Sequence, residues 1–416
     1  MLELIKSLLW SPFTVIFIVV VGTVLCIKTS FRALKKPKRL FKETLFSNNK
    51  SSFEAMCTAL GGTIGVGNTI GVAGAIVEGG PSALLWMLIA SLFGMVIKEA
   101  EIFLSVKYKP YGNEFSGPMY YIENGIGSKA LARLWAFSCI LTSLGMGNIS
   151  QSMAAISSIE GVIDGKRLYF CIILTLIVGI VVSLGLNEIK RIIAVIIPFI
   201  TVTFILSTIL ILIINSKNIP YAISEIFTSL TDFKSGCVGL KWSVITRAMR
   251  SGFSRGIFTN EAGLGSASII HSSSNESYPE AQARWGVLEV FIDTVIICML
   301  TGIAILSCNY EGLPIERITQ YVFMSSLGKI GGIIYAVSML IFALASIIAW
   351  FCYAQCALKY LGGSNLLFSV LFIAVTFFGG VINAGSVLII SDIFNAIMLI
   401  TNLVALLLLT RQAKSN

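Results

Sequence analysis

Residues 331–358 read GGIIYAVSMLIFALASIIAWFCYAQCAL, with no charged side chain anywhere in the stretch. Spanning the hydrocarbon core of a bilayer takes about 20 apolar residues as a helix. Eight further runs of similar character lie near 12–27, 82–104, 131–158, 168–186, 192–214, 285–308, 365–383 and 386–410. A chain with this pattern cannot bury all its apolar surface within itself. Only 12% of its residues are charged and 56% are hydrophobic, against about 25% and 45–50% in soluble domains. Soluble enzymes of common type and disordered chains are both excluded, and an all-α integral membrane protein is expected, with membrane lipid as its solvent.

Two further segments are harder to place. Residues 54–77, EAMCTALGGTIGVGNTIGVAGAIV, are apolar enough to span but crowded with glycine from Gly61 to Gly74. Residues 241–270 are interrupted by Lys241, Arg247, Arg250, Arg255 and Glu261. Counted as a broken span, the second brings the total to about eleven. The longest gaps, 105–130, 215–240 and 259–284, leave no room for a soluble domain. Residues 1–416 are therefore read as one transmembrane domain: an extra N-terminal helix and basic loop (1–52), a first repeat (53–215) and a second (238–410).

Basic residues gather in cytoplasmic loops. The loop 29–52 holds Arg32, Lys35, Lys36, Lys38, Arg39, Lys42 and Lys50 against one acid, Glu43. It is expected in the cytoplasm, with the N-terminus outside and, after an odd number of spans, the C-terminus inside. Lys166 and Arg167 run against this rule. The first run is not expected to be a cleaved signal peptide, since a basic stretch and no small-residue cleavage site follows it. The net charge of +9 is assigned to these loops rather than to nucleic-acid binding. The cysteines form no CxxC pair and read as small buried hydrophobes. His271, the one histidine, cannot build a histidine metal cluster, and no nucleophile–base pair is evident, so enzyme activity and organic cofactors are not expected.

Each glycine inside a helix costs about 1 kcal/mol relative to alanine, so the run Gly61-Gly62-Thr63-Ile64-Gly65-Val66-Gly67-Asn68 needs a reason. Small residues at four-residue spacing suit close helix packing. An unwound helix in mid-membrane suits function: its freed carbonyls suit a small cation, its half-helix N-terminus a carboxylate, and Asn68 adds a neutral donor and acceptor. A second Gly/Ser-rich stretch, Ser251 to Gly265, lies five spans later. Two interrupted helices in corresponding positions point to a five-plus-five inverted repeat with the binding site between the halves.

Polar residues in other spans extend the candidate set. Gln151 and Asn148 fall at i, i+3 on one helix face, either for interhelical bonding or to face a ligand. Ser346 and Trp350 fall at i, i+4; a hydroxyl can ligate a cation and an indole can wall a small pocket, although back-bonding and packing are the bland alternatives. Asp293 and Asp392 are costly inside a membrane and read as ion-pair members or functional groups. Lys98, beside Glu99 and Glu101, is expected to snorkel at the cytoplasmic boundary.

From about Phe53 to Leu409 the chain resembles the alanine or glycine:cation symporter family. Four stretches carry the resemblance: GGTIGVGNTIGVAGAIVEGGPSALLWM, SGPMYYIENGIG at 116–127, RGIFTNEAGLGSASIIHSS at 255–273 and ISDIFNAIMLITNLVALLLL at 390–409. Thr259 stands where the family's third motif usually has Ser, Ser152-Met153 follows Gln151 where Gln-x-Asn is usual, and Ala345 precedes Ser346 where two hydroxyls are usual. The resemblance implies a leucine-transporter-type fold and a small neutral amino acid as substrate, coupled to Na+ or, less often, H+. It implies that the substrate carboxylate meets backbone amides near Val66 and Gly67, that Gln151 contributes its amide, and that Asn68, Phe253, Ser346 and Trp350 complete the site. Na+ would lie between carbonyls of the first break, at Thr63 and Val66, and the Ser346 hydroxyl. A transport-impaired sensor or a channel remains the alternative, with a membrane-embedded enzyme behind it.

Overall fold

The computed structural model describes residues 2, 5, 9–29, 37–47, 49–231, 238–381 and 385–413. Of the basic loop, Arg32, Lys35 and Lys36 lie outside the described residues. Among those described, every extended element is a helix. The nine plain apolar runs each coincide with one: α1 (Pro12–Thr29), α4 (Ala83–Lys107), α5 (Lys129–Glu160), α6 (Arg167–Ser183), α7 (Leu186–Ile214), α10 (Pro279–Leu306), α11 (Ile315–Leu361), α12 (Asn365–Val381) and α13 (Gly385–Leu408). Six of them, α4, α5, α7, α10, α11 and α13, are long and apolar enough to cross a membrane. The charge-free run lies within α11, after a kink at Gly328, whose φ of 65° suits glycine.

Apart from the short helices Pro37–Glu43, Pro118–Tyr121 and Ile219–Thr231, the remaining elements are the interrupted ones. α2 (Lys50–Thr63) and α3 (Gly67–Gly79) meet at an angle of 56° across Ile64–Val66 and together are apolar enough for a seventh span. α8 (Val238–Asn260) is followed by the turn 261–265 and the short α9 (Ser266–His271). Here the structure corrects the sequence reading, because Ser251 to Asn260 is continuous helix. Its glycines serve packing: a Cβ on Gly252 would strike the Ala83 carbonyl and Trp86, and one on Gly256 would come within 3.1 Å of Ala90. Two glycines four residues apart let α8 lie directly on α4. The break proper is Glu261–Gly265, where Glu261, Gly263 and Gly265 have φ of 54°, 93° and 78°. Glu261 is the one non-glycine residue with positive φ among those described, a conformation that costs strain and persists only where surroundings enforce it.

Lys98 does not snorkel. It is completely buried and pairs with Glu289 at 3.4 Å, because α4 runs through the middle of the bundle between α8 and α10. The described cysteines carry no disulfide and nearly all are buried.

Candidate functional site

The first break is held open by side chains from distant helices. At its entry, α2 ends in carbonyls that no longer have a helical partner; the Gly62 carbonyl instead accepts the Ser346 hydroxyl of α11 at 3.0 Å. Thr63 turns its hydroxyl back to the Leu60 carbonyl at 3.2 Å. At its exit, α3 opens with a π turn, Gly67–Gly71, a form that recurs at functional sites. Between the two, the Val66 N–H points at the Gln151 side-chain oxygen at 3.4 Å. A Cβ on Gly65 would come within 2.8 Å of that same oxygen, so glycine there lets Gln151 approach the backbone. A carbonyl-rich helix end and an amide-rich helix start thus face each other across three residues. The first favours a cation and the second a carboxylate.

A cavity of about 230 Å³ adjoins the amide-rich side. Val66 and Gly67 line it, with Met146 of α5, Phe258 and Thr259 of α8, and Asp392 of α13. It is smaller than the ~300–1,000 Å³ pockets that hold drug-sized ligands, a size for a solute of a few heavy atoms. A wider cavity of about 480 Å³, bearing Arg247 and Arg250, shares Arg255, Phe258 and Asp392 with it. Between the two, Arg255 pairs with Glu78 at 3.0 Å.

The structure therefore brings Val66, Gly67, Gln151 and Ser346 together at the first break. Trp350 is near by contact rather than by facing the cavity: it fills the space where Gly147 lacks a side chain, in the π turn Gly145–Ile149 beside Met146. That π turn also separates the amides expected on one face. Asn148 donates to the Phe372 carbonyl at 2.8 Å, whereas Gln151 faces the break. Phe253 is not brought to the cavity. It packs on Trp86 and Phe93 with centroid distances of 5.9 and 6.4 Å. Phe258, five residues and about 140° further round the helix, lines the cavity instead.

Asn68 faces inward rather than toward the cavity. Its carbonyl oxygen accepts the Gly65 N–H at 2.9 Å, and its amide donates to Asp293 Oδ1 at 2.7 Å. Asp293 Oδ2 accepts the Thr294 hydroxyl at 2.8 Å, Thr294 Oγ1 accepts the Asn260 amide at 3.1 Å, and Asn260 Oδ1 accepts the Ala262 N–H at 3.0 Å. A continuous chain of hydrogen bonds thus ties the first break to the second through α10. Asp293 is completely buried and, in place of the ion pair the sequence suggested, accepts neutral donors. Asp392 lines both cavities, and its carbonyl accepts the Trp10 indole N–H at 3.2 Å.

Sequence reasoning left three contributors unplaced. Thr259, noted only as a departure from the third motif, packs its methyl against Gly67. Asp293 was noticed but not placed. Tyr353 stands over Gly62 with a buried hydroxyl that has no hydrogen-bond partner among the described residues; nothing in its apolar sequence surroundings signals that position.

The model of the sodium:alanine symporter family matches residues 1–416. An uncharacterized transporter of Haemophilus influenzae is 34% identical, covering 98% of this chain and 92% of its own length. The sodium/alanine symporter AgcS of Methanococcus maripaludis is 30% identical over 98% of this chain and 93% of its own. The probable sodium/glutamine symporter GlnT of Bacillus subtilis is 29% identical over 98% and 87%. Among solved structures, MhsT in complex with L-phenylalanine superposes with a TM-score of 0.58 at 18% identity, over 87% of this chain and 89% of its own. A manganese transporter of Eremococcus coleocola gives 0.53 at 12%, over 86% and 76%. Both share the leucine-transporter-type fold. Matched along its whole length and at its broken helices, the chain belongs to the sodium:alanine symporter family and is a cation-coupled amino-acid symporter of the membrane.

Proposed function

We propose that this chain carries a small neutral amino acid, alanine or glycine, into the cell together with Na+ by alternating access. The chain would cross the membrane eleven times, N-terminus outside and C-terminus inside, with residues 53–215 and 238–410 forming the two inverted repeats. The observation that carries this reading is the 56° break at Ile64–Val66, whose amide-rich side opens on a cavity sized for a few heavy atoms. The substrate carboxylate sits at the amides of Val66 and Gly67, with Gln151 turning its amide toward it and Trp350 backing the wall through Gly147. Na+ sits among the carbonyls of Thr63 and Val66 and the Ser346 hydroxyl, beside the Gly62 carbonyl that this hydroxyl reaches at 3.0 Å, and the Tyr353 hydroxyl supplies a further oxygen nearby. Carboxylate and cation neutralise one another in a medium where either alone costs several kcal/mol, and that mutual dependence is the coupling.

One charge falling through 100 mV supplies about 2.3 kcal/mol, near fiftyfold accumulation. Proteoliposomes holding the purified protein are therefore expected to concentrate labelled alanine or glycine, unchanged chemically, when Na+ is high outside. Uptake should stop when K+ or choline replaces Na+. Equilibration without accumulation would instead identify a channel, and binding without uptake a sensor.

Ser346→Ala removes the one side-chain oxygen that bridges α11 to the Gly62 carbonyl. Losing a ligand worth about 1.4 kcal/mol is a factor of ten in affinity. The half-saturating Na+ concentration is expected to rise about tenfold or more, with substrate KM at saturating Na+ little changed. Titrating Na+ at fixed substrate reads this directly. An unchanged Na+ curve would move the cation away from Ser346.

A further inference from the structure

Beyond the first break's cavity, a second set of charged groups is sealed inside the bundle where α4, α9 and α10 meet the second break. Lys98, Glu101, His271 and Glu289 are completely buried there, and Glu261 nearly so. Glu289 is the best compensated: Lys98 Nζ lies 3.4 Å from its Oε1 and His271 Nε2 lies 2.8 Å from its Oε2. The Gln282 amide donates to His271 Nδ1 at 2.8 Å. Both ring nitrogens of His271 are thus engaged, one by Glu289 and one by Gln282. Lys98 and Glu289 then cancel, and two carboxyls are left with no salt-bridged cation among the described residues.

Glu261 Oε2 accepts the Ser266 hydroxyl at 2.5 Å. Glu101 is placed differently. Its Oε1 accepts the Gly263 N–H at 2.8 Å and the Asn402 amide at 2.6 Å, while its Oε2 is buried without a hydrogen-bond partner among the described residues. The ionisable groups that act on Glu101 are Lys98 on the same helix, Glu289 on α10 and Tyr121, which reaches Asn402 with its hydroxyl; elsewhere in the cluster Asp293 and Cys139 face Glu261 in the second break, and His271 on α9 faces Glu289. α13 contributes the neutral Asn402. A full negative charge on an unpartnered oxygen in this setting is heavily penalised, whereas a neutral acid with one oxygen doubly hydrogen-bonded is tolerated.

We propose that the Glu101 carboxyl is a proton-binding site, carrying its proton on Oε2 while Oε1 docks on the backbone of the second break. Asn402 also donates to the Gly263 carbonyl at 2.8 Å, so the protonated acid, Asn402 and Gly263 form one clasp between α4, α13 and the break. Losing the proton in place would set Glu101 against Glu289 and loosen that clasp.

The test is infrared spectroscopy of the reconstituted wild-type protein at neutral pH, without amino acid or Na+. Expected is a carbonyl band of a protonated carboxylic acid that shifts on H/D exchange, shifts again when the protein is labelled with 13C-glutamate, and bleaches on alkaline titration. Glu101→Gln, which keeps the Oε1 acceptor and the neutral shape, should remove that band, and Glu261→Gln should leave it. A wild-type spectrum without such a band, a band insensitive to glutamate labelling, or one that survives in Glu101→Gln at full amplitude overturns the proposal. The wild-type measurements decide it even if a variant fails to fold. None of them depends on uptake, so the outcome is separate from that of the transport assay.

Discussion

Replacing Gly67 with alanine is expected to lower uptake efficiency tenfold or more, and Gly67→Leu to abolish it, in protein that still folds. The reason is one contact. A Cβ at position 67 would come within 2.5 Å of the Thr259 methyl and 3.2 Å of the Thr259 Cα. Thr259 cannot swing its methyl away cheaply, because its hydroxyl is bonded to the carbonyls of Arg255 and Gly256 at 3.0 and 2.8 Å. Gly67 has no left-handed backbone angle, and alanine favours helix over glycine by about 1 kcal/mol. Propensity alone would therefore make the substitution harmless, and any loss is due to the steric push. Overpacking of this kind costs about 1–3 kcal/mol, delivered here between α3 and α8, two of the helices that line the cavity. Thr259→Ser keeps the hydroxyl bonds and deletes the methyl, so Gly67→Ala with Thr259→Ser should recover part of the lost uptake. Kinetics of the two single variants and the double in proteoliposomes check this. Normal transport by Gly67→Leu would contradict the placement of the site.

That contact also marks where sequence reading succeeds and where it stops. The apolar runs were legible because membrane solvent imposes one rule along the whole span, and nine runs became nine helices. The first break was legible because glycine after glycine in a span has few explanations, and the structure shows both close packing and a break there. Gly61 and Gly62 admit Ala345, Ala349 and Tyr353 closely, while Gly65 and Gly67 border the break itself. The second break was misjudged at its edge for the same reason: Gly252 and Gly256 look like the turn glycines Gly263 and Gly265, yet they are packing glycines inside α8. Phe253 and Phe258 are both aromatic and near one another in sequence, and only the rotation of α8 decides which meets the cavity. Lys98 was misplaced because sequence gives depth along a span but not which face meets lipid. The Asn68–Asp293 bond was out of reach altogether, since it joins positions 225 residues apart.

The hydrogen-bond chain through that pair yields the other large expected effect. Asn68→Asp keeps an acceptor for the Gly65 N–H but removes the donor to Asp293, setting two buried carboxyls face to face. Breaking a buried partnership in this way costs about 3–5 kcal/mol, and both breaks lose their common anchor, so loss of uptake and a clear fall in thermal stability of the solubilised protein are expected. Asp293→Asn alone leaves Asn68 a possible acceptor but puts an amide hydrogen where Thr294 now donates. The exchange of both residues is the informative variant. With aspartate at 68 and asparagine at 293, the Gly65 N–H still finds an oxygen, the amide of residue 293 donates to the carboxylate, and its carbonyl accepts from Thr294. The double variant should therefore be more stable than the sum of the singles predicts, by about 0.5–3 kcal/mol of coupling, and should regain transport. Recovery of stability without recovery of uptake would show that the carboxylate is needed at 293 itself, for more than holding the two breaks in register.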